Sequence, residues 1–144
     1  MKQSDTTVRV RYKDTDQMGM AYYANYFVWF EVGRCEFFRD LEMSYKDMER
    51  SKIFLPVIEA FCKYKHPARY DDLLQITTRL SFLKNVKLGF HYEIFNKETD
   101  TLLVTGETVH AFVNQKGRPI VLRKQNPFFW RILQELNVTQ LQHD

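Results

Sequence analysis

The sequence predicts an α+β fold in which one curved antiparallel sheet wraps around a long central helix. Three observations carry that expectation. A long aromatic segment from Tyr23 to Leu41 has helical spacing, strand-like segments with period-two alternation lie on both sides of it, and no strand–helix alternation of the kind a parallel sheet needs follows it.

Residues Thr6 to Tyr12, TTVRVRY, alternate β-branched or aromatic with polar residues and read as a half-buried first strand. In the helix that follows, Tyr26, Phe27, Phe30, Phe37 and Leu41 recur at three- and four-residue steps, and Val28, Trp29 and Cys35 widen the stripe. Glu31, Arg34, Arg39 and Asp40 mark a wetter side. At ~1.5 Å per residue such a helix is roughly 27 Å long, and only an extended sheet curling around it covers so broad an apolar face. The polar connection SYKDMERSK has room for one short helical turn.

From Phe54 the pattern turns to strands. Pro56 and Pro67 limit regular pairing at the two ends of the first, and Pro67 to Asp72 reads as a turn. Leu73 to Leu83, Lys87 to Asn96 and Thr101 to Val113 follow, joined by a hairpin connection at Leu83–Val86 and a polar turn at Asn96–Asp100. The expected order is therefore strand, helix, then four strands in a meander. Asn126 with Pro127 behind it starts a short C-terminal helix through Leu136.

The stretch YKDTDQMGMAYYANY, Tyr12 to Tyr26, joins the first strand to the helix. The first turn of a helix leaves backbone N–H groups without intrahelical partners and carries a partial positive charge. A carboxylate beside such donors pairs a base or nucleophile with an oxyanion hole, the combination that acyl transfer needs. On spacing alone, the favoured reading is that Asp14, Thr15 and Asp16 only form a turn and cap the helix.

The 144 residues fit one domain, expected to span 1–144, with a pocket shared between subunits. The aromatic content of 15% favours wide packed surfaces, and a sheet with a bare face and edge calls for a homo-oligomer. A net charge of +3, with cations and anions interspersed, excludes a nucleic-acid-binding face and leaves room for a phosphate-bearing small ligand. Cys35 and Cys62 have neither CxxC nor CxxxH spacing, so no zinc site or disulfide is expected and a reduced, cytoplasmic protein is. MKQSDTTVRV holds no signal-peptide core, and Met18 to Phe38 is interrupted by Asn25, Glu31, Arg34 and Glu36, so no membrane span is expected.

The run YKDTDQMGMAYYANYFVWFEVGR, the later LPV, and PARYDD before a threonine-rich strand resemble the acyl-CoA thioesterases of the 4-hydroxybenzoyl-CoA thioesterase type, including the Tol-Pal-associated branch. The resemblance covers nearly the whole chain. It implies a hotdog fold assembling as dimers and often tetramers, an acyl-CoA substrate lying between subunits, and no cofactor. It also implies that the second acid of the DTD turn, Asp16, is catalytic, and that the backbone N–H of Tyr23, seven residues later, binds the oxyanion. Tyrosine at position 23 resembles the hydroxybenzoyl-CoA enzyme, whereas many Tol-Pal-associated members have histidine there.

Asp16 would attack the thioester directly or act as general base on water. Tyr12, Gln17, Gly19 and Tyr26 are candidates to bind substrate, by fixing the Asp16 rotamer or lining the pocket, and Arg69, Lys84, Lys87, Arg118 and Arg123 are candidates to bind CoA phosphates. Asp14 is expected to support the turn. A calcium loop at Asp14–Gly19 fails because Met18 takes a ligand position and Asn25 stands where the bidentate Glu belongs. A Cys/His hydrolase would need Cys35 or Cys62, which fall in the aromatic helix and in a strand-like run. The rival from another class is a non-catalytic acyl-CoA or acyl-carrier binding module.

Overall fold

The computed structural model describes residues 3–143; Met1 and Lys2, at the head of MKQSDTTVRV, and Asp144 lie outside the described residues. Five strands, β1 (Gln3–Arg9), β2 (Val57–Tyr64), β3 (Leu73–Leu83), β4 (Lys87–Asn96) and β5 (Thr101–Ala111), pair antiparallel in the order β1-β3-β4-β5-β2. Helix α1 (Asn25–Asp40) covers one face, with α2 (Tyr45–Arg50) after it and α3 (Leu122–Gln125) and α4 (Pro127–His143) at the end of the chain. The expected meander holds for β3, β4 and β5 only. β2 pairs with β5 on the far edge, because alternation specifies which face a strand buries and not which neighbour it takes.

The register explains how α1 sits. Ser4, Thr78, Tyr92, Gly106 and Cys62 form one row across all five strands. Phe30 stacks on Tyr92 with ring centroids 4.4 Å apart and lies over Gly106, while Gly33 lies so close to Thr78 that any Cβ would collide with it. At the helix C-terminus Asp40 accepts a hydrogen bond from the Ser4 hydroxyl of β1 at 2.7 Å. At its N-terminus Tyr26 packs against Tyr64 of β2. α1 therefore crosses the sheet from the β2 edge to the β1 edge, and its 16 residues, about 24 Å, match five strands spaced ~4.8 Å apart.

Several boundaries differ from expectation: the C-terminal helix, expected through Leu136, runs to His143, and the last strand, expected to Val113, ends at Ala111. β1 ends at Arg9, and Tyr12–Asp14 is a 3-10 turn, because Val10 closes the pairing with Asp72 and the next residue bends the chain away. The helix begins at Asn25, leaving Tyr23 and Ala24 in the approach to it.

The core holds one polar chain. The Tyr92 hydroxyl and Thr108 Oγ1 lie 2.6 Å apart, Thr108 Oγ1 lies 2.9 Å from His110 Nε2, and His110 Nδ1 is 3.0 Å from the Leu55 carbonyl oxygen. Burial pushes the fully enclosed His110 down to about 4, against the Leu55 carbonyl, which favours protonation, and with the nearby Arg34, which opposes it. The folded pKa is below the unfolded 6.5, so the unfolded chain takes up the proton first and stability falls as pH drops from 6.5 towards 4. The loss is expected to approach about 3 kcal/mol, read as a urea midpoint that falls with acid in the parent and less so in His110→Gln. Equal acid slopes for the two proteins would contradict it.

Candidate active site

Asp14 bolts the loop ahead of α1. Its carboxylate accepts from the Arg11 backbone N–H at 2.8 Å, Nε at 3.2 Å and Nη2 at 2.9 Å, and its carbonyl accepts from the Tyr22 N–H at 2.8 Å and from Asn25 Nδ2 at 2.7 Å. Burial alone would raise this acid, but the Arg11 contacts outweigh it and hold Asp14 below the ordinary carboxylate range. With both of its polar ends committed, Asp14 caps the 3-10 turn through the Arg11 N–H and supports the loop.

Asp16 stands two residues on, in solvent reach. Its Oδ1 accepts from the Met18 N–H at 2.8 Å and the Met20 N–H at 3.2 Å, its own N–H donates to the Met20 carbonyl at 2.7 Å, and its carbonyl accepts from Gly19 at 3.0 Å. The turn closes because Gly19 adopts φ +77°, where a Cβ is strained. These bonds fix the carboxylate through Oδ1. Among the described residues Oδ2 takes no hydrogen bond.

The helix mouth lies beside it. Ala24 precedes α1 with no side-chain cap, and among the described residues the Tyr23 and Ala24 N–H groups donate to no acceptor. A segment from the end of β2 holds this approach from below: the Ala21 N–H donates to the Ala68 carbonyl at 2.8 Å, and the Ala68 N–H donates to the Tyr26 hydroxyl at 3.0 Å. Between the two segments is a cavity of about 310 Å³ lined by Asp16, Met20, Ala21, Tyr23, Tyr26, Tyr64, Lys65, His66 and Pro67. A carboxylate, free backbone donors at a positive helix end and apolar ring faces share one opening, an arrangement fitted to a polarised carbonyl carrying an apolar group.

Three expected residues, Asp16, Tyr23 and Tyr26, thus meet in the cavity wall. Tyr12 is 79% exposed and meets Tyr70 edge-on, Gln17 is exposed on the loop, and Gly19 shapes the turn without lining the cavity. Arg69 is close by, bridged through its backbone to Met20, with its N–H on Asp72 at 2.9 Å. Lys84 lies over the Phe82 ring and Lys87 pairs with Ala111, both at the end of the sheet opposite the cavity, where Arg123 follows the Asn85–Leu122 contact. Within one chain they do not reach it. Tyr64, Lys65, His66 and Pro67 complete the wall; the sequence signal that points to them is the proline turn that ends β2.

The cysteines offer no competing nucleophile. Burial raises both thiols above their ordinary value, and His110 has both ring nitrogens engaged. Among the described residues no group of three or more His, Cys, Asp or Glu side chains is placed to hold a metal, and no helix is long and apolar enough to cross a membrane.

Comparison with known proteins finds relatives along most of the chain. Over 128 residues the chain is 35% identical to YneP of Bacillus subtilis, covering 88% of this chain and 92% of that one. It is 34% identical over 118 residues to the acyl-CoA thioester hydrolase YbgC of Escherichia coli, covering 81% and 87%. The solved DHNA-CoA thioesterase of Staphylococcus aureus superposes with a TM-score of 0.95 at 30% identity, covering 100% of this chain and 97% of that one. Residues 10–135 match the model of the thioesterase-like superfamily, and to that superfamily, with its hotdog fold, the chain belongs.

Proposed function

We propose that this thioesterase hydrolyses acyl-CoA to free acid and CoA, with Asp16 as nucleophile or general base and the Tyr23 N–H as oxyanion donor. The observation that supports the reading is the shared cavity wall: Asp16 and Tyr23 border one opening at an uncapped helix N-terminus. In the nucleophilic version Asp16 Oδ2 adds to the thioester carbon, the C–S bond breaks to release CoA thiolate, and water then cleaves the mixed anhydride. In the general-base version Asp16 takes a proton from the water that attacks the same carbon, the C–S bond then breaks, and the proton passes to the departing CoA thiolate. Either way negative charge gathers on the carbonyl oxygen, and a donor such as the Tyr23 N–H contributes ~3 kcal/mol to its stabilisation. Arg69 stands nearest the opening among the candidate phosphate-binding cations, and Lys84 and Lys87 serve only from a neighbouring subunit.

Thiol release from a panel of short-chain, long-chain and aromatic acyl-CoAs tests the reading. Turnover of at least one is expected. Tight binding without turnover across the panel would favour the acyl-CoA or acyl-carrier binding module instead.

The assembly we propose is a homodimer or a tetramer built from it, joined through β2. β2 is an edge strand with Val57, Ile58, Phe61 and Tyr64 exposed by 46 to 58%, an unprotected apolar edge of the kind that seeks a partner. The opposite edge, β1, reads QSDTTVR and is polar. Sedimentation of the parent as a dimer or larger species, and of Phe61→Lys with a raised monomer fraction, is the expected result. A monomeric parent at micromolar concentration would remove the proposal.

A further inference from the structure

Tyr64 ends β2 at the point where the sheet edge meets the start of α1. Its ring packs edge-on against Tyr26, centroids 5.3 Å apart, and its hydroxyl donates to the Tyr23 carbonyl at 3.2 Å. In a regular helix that carbonyl would accept from the N–H four residues on, that of Phe27. Here the Phe27 N–H donates to the Ala24 carbonyl at 3.2 Å instead, and the helix begins at Asn25. A phenol from another element therefore takes the place of the helical bond.

The exchange sets the peptide plane between Tyr23 and Ala24, whose N–H is a second free donor at the helix mouth. Were the Tyr23 carbonyl drawn into the helical ladder, α1 would lengthen by one residue and Tyr23 would rotate with it. The Tyr22–Tyr23 peptide, which carries the Tyr23 N–H, is fixed separately by the Asn25 N–H on the Tyr22 carbonyl at 2.9 Å, so Tyr64 controls the next peptide, which carries the Ala24 N–H. A hydrogen bond to the carbonyl also polarises the Tyr23–Ala24 amide and strengthens the Ala24 N–H as a donor.

We propose that Tyr64 is a positioning residue for thioester hydrolysis: its hydroxyl holds the Tyr23 carbonyl out of the helical ladder and so keeps the Tyr23–Ala24 peptide, with its free Ala24 N–H, set at the helix mouth beside the Tyr23 N–H. The inference rests on the roles given above to Asp16 and Tyr23. Partial burial, the neighbouring Cys62 thiol and the phenols of Tyr26 and Tyr23 push the Tyr64 hydroxyl up to about 12, so it remains a donor throughout the neutral range.

Tyr64→Phe keeps the ring against Tyr26 and removes only the donor. On an acyl-CoA that the parent hydrolyses, kcat is expected to fall about tenfold with KM within about twofold, the pattern of an interaction that counts in the transition state. The backbone amide resonance of Phe27 is expected to shift as that N–H takes up the freed Tyr23 carbonyl, and to stay in place in Asp16→Asn. Unchanged kcat, a loss carried by KM alone, or an unmoved Phe27 resonance each overturns the role of Tyr64. Asp16→Asn in the same assay separates the two levels. If it abolishes turnover while Tyr64→Phe does not alter it, only the positioning role fails; if it turns over like the parent, the reading of the site fails and the positioning role with it.

Discussion

Asp16→Asn is expected to lower kcat for acyl-CoA hydrolysis by about a thousandfold, which corresponds to about 4 kcal/mol of lost transition-state stabilisation. The substitution is informative because so little else changes. Asp16 is held through Oδ1, which accepts from the Met18 and Met20 N–H groups, and an amide oxygen accepts both bonds equally well. The Asp16 N–H and carbonyl, bonded to Met20 and Gly19, are backbone groups and remain. Only the second oxygen is replaced, by an NH2 that neither attacks a carbonyl nor takes a proton from water. Loop, cavity and helix mouth should persist while the chemistry stops.

The same variant divides an enzyme from a binding module. Affinity for a non-hydrolysable acyl-CoA analogue, measured by calorimetry, should remain within a few-fold, because the substitution leaves the other lining residues, from Met20 and the tyrosines to Lys65 and His66, untouched. Turnover by Asp16→Asn at the parent rate would remove Asp16 from the chemistry and require another group in that wall, such as His66.

What the sequence made legible were the features written in local spacing. β3 and β4 occupy the expected Leu73–Leu83 and Lys87–Asn96, since alternation over ten residues closed by turn chemistry leaves little freedom in register. Asp16 and Tyr23, seven residues apart, fall in one cavity for the same reason: the turn and the helix mouth are one continuous piece of chain. The position of β2 was not legible, and with it went Tyr64, Lys65 and His66, which come some forty residues later and reach the site only because β2 takes the edge beside the start of α1. The charge pattern was equally blind to position, since Lys84 and Lys87 look no different from Arg69 until the sheet assigns them to opposite ends. Tyr12, read as strand and as a site candidate, stands exposed because Arg11 turns back to grip Asp14.

Gly106→Val is expected to cost about 3 kcal/mol or more of stability, since overpacking a closed core forces side chains or backbone to move. Gly106 lies in the row beneath α1, between Tyr92 and Cys62, and a Cβ there would collide with the Phe30 ring and come within 3.0 Å of the Phe61 carbonyl. Neither neighbour yields easily. Phe30 is fully buried, stacked on Tyr92 at 4.4 Å and held edge-on by Phe27, and the Phe61 carbonyl belongs to the strand paired with β5. For a chain of this size the expected fall in Tm is roughly 10 °C, read by circular dichroism, and Phe30→Leu in the same background should recover part of it by making room. A Tm unchanged by Gly106→Val would mean that Phe30 does not sit on Gly106. The effect should also extend beyond stability, because Phe30 is one helical turn from Tyr26: lifting it tilts the start of α1 off the sheet and displaces the Tyr23 N–H from Asp16, so the folded fraction of the variant should hydrolyse thioester more slowly than the parent.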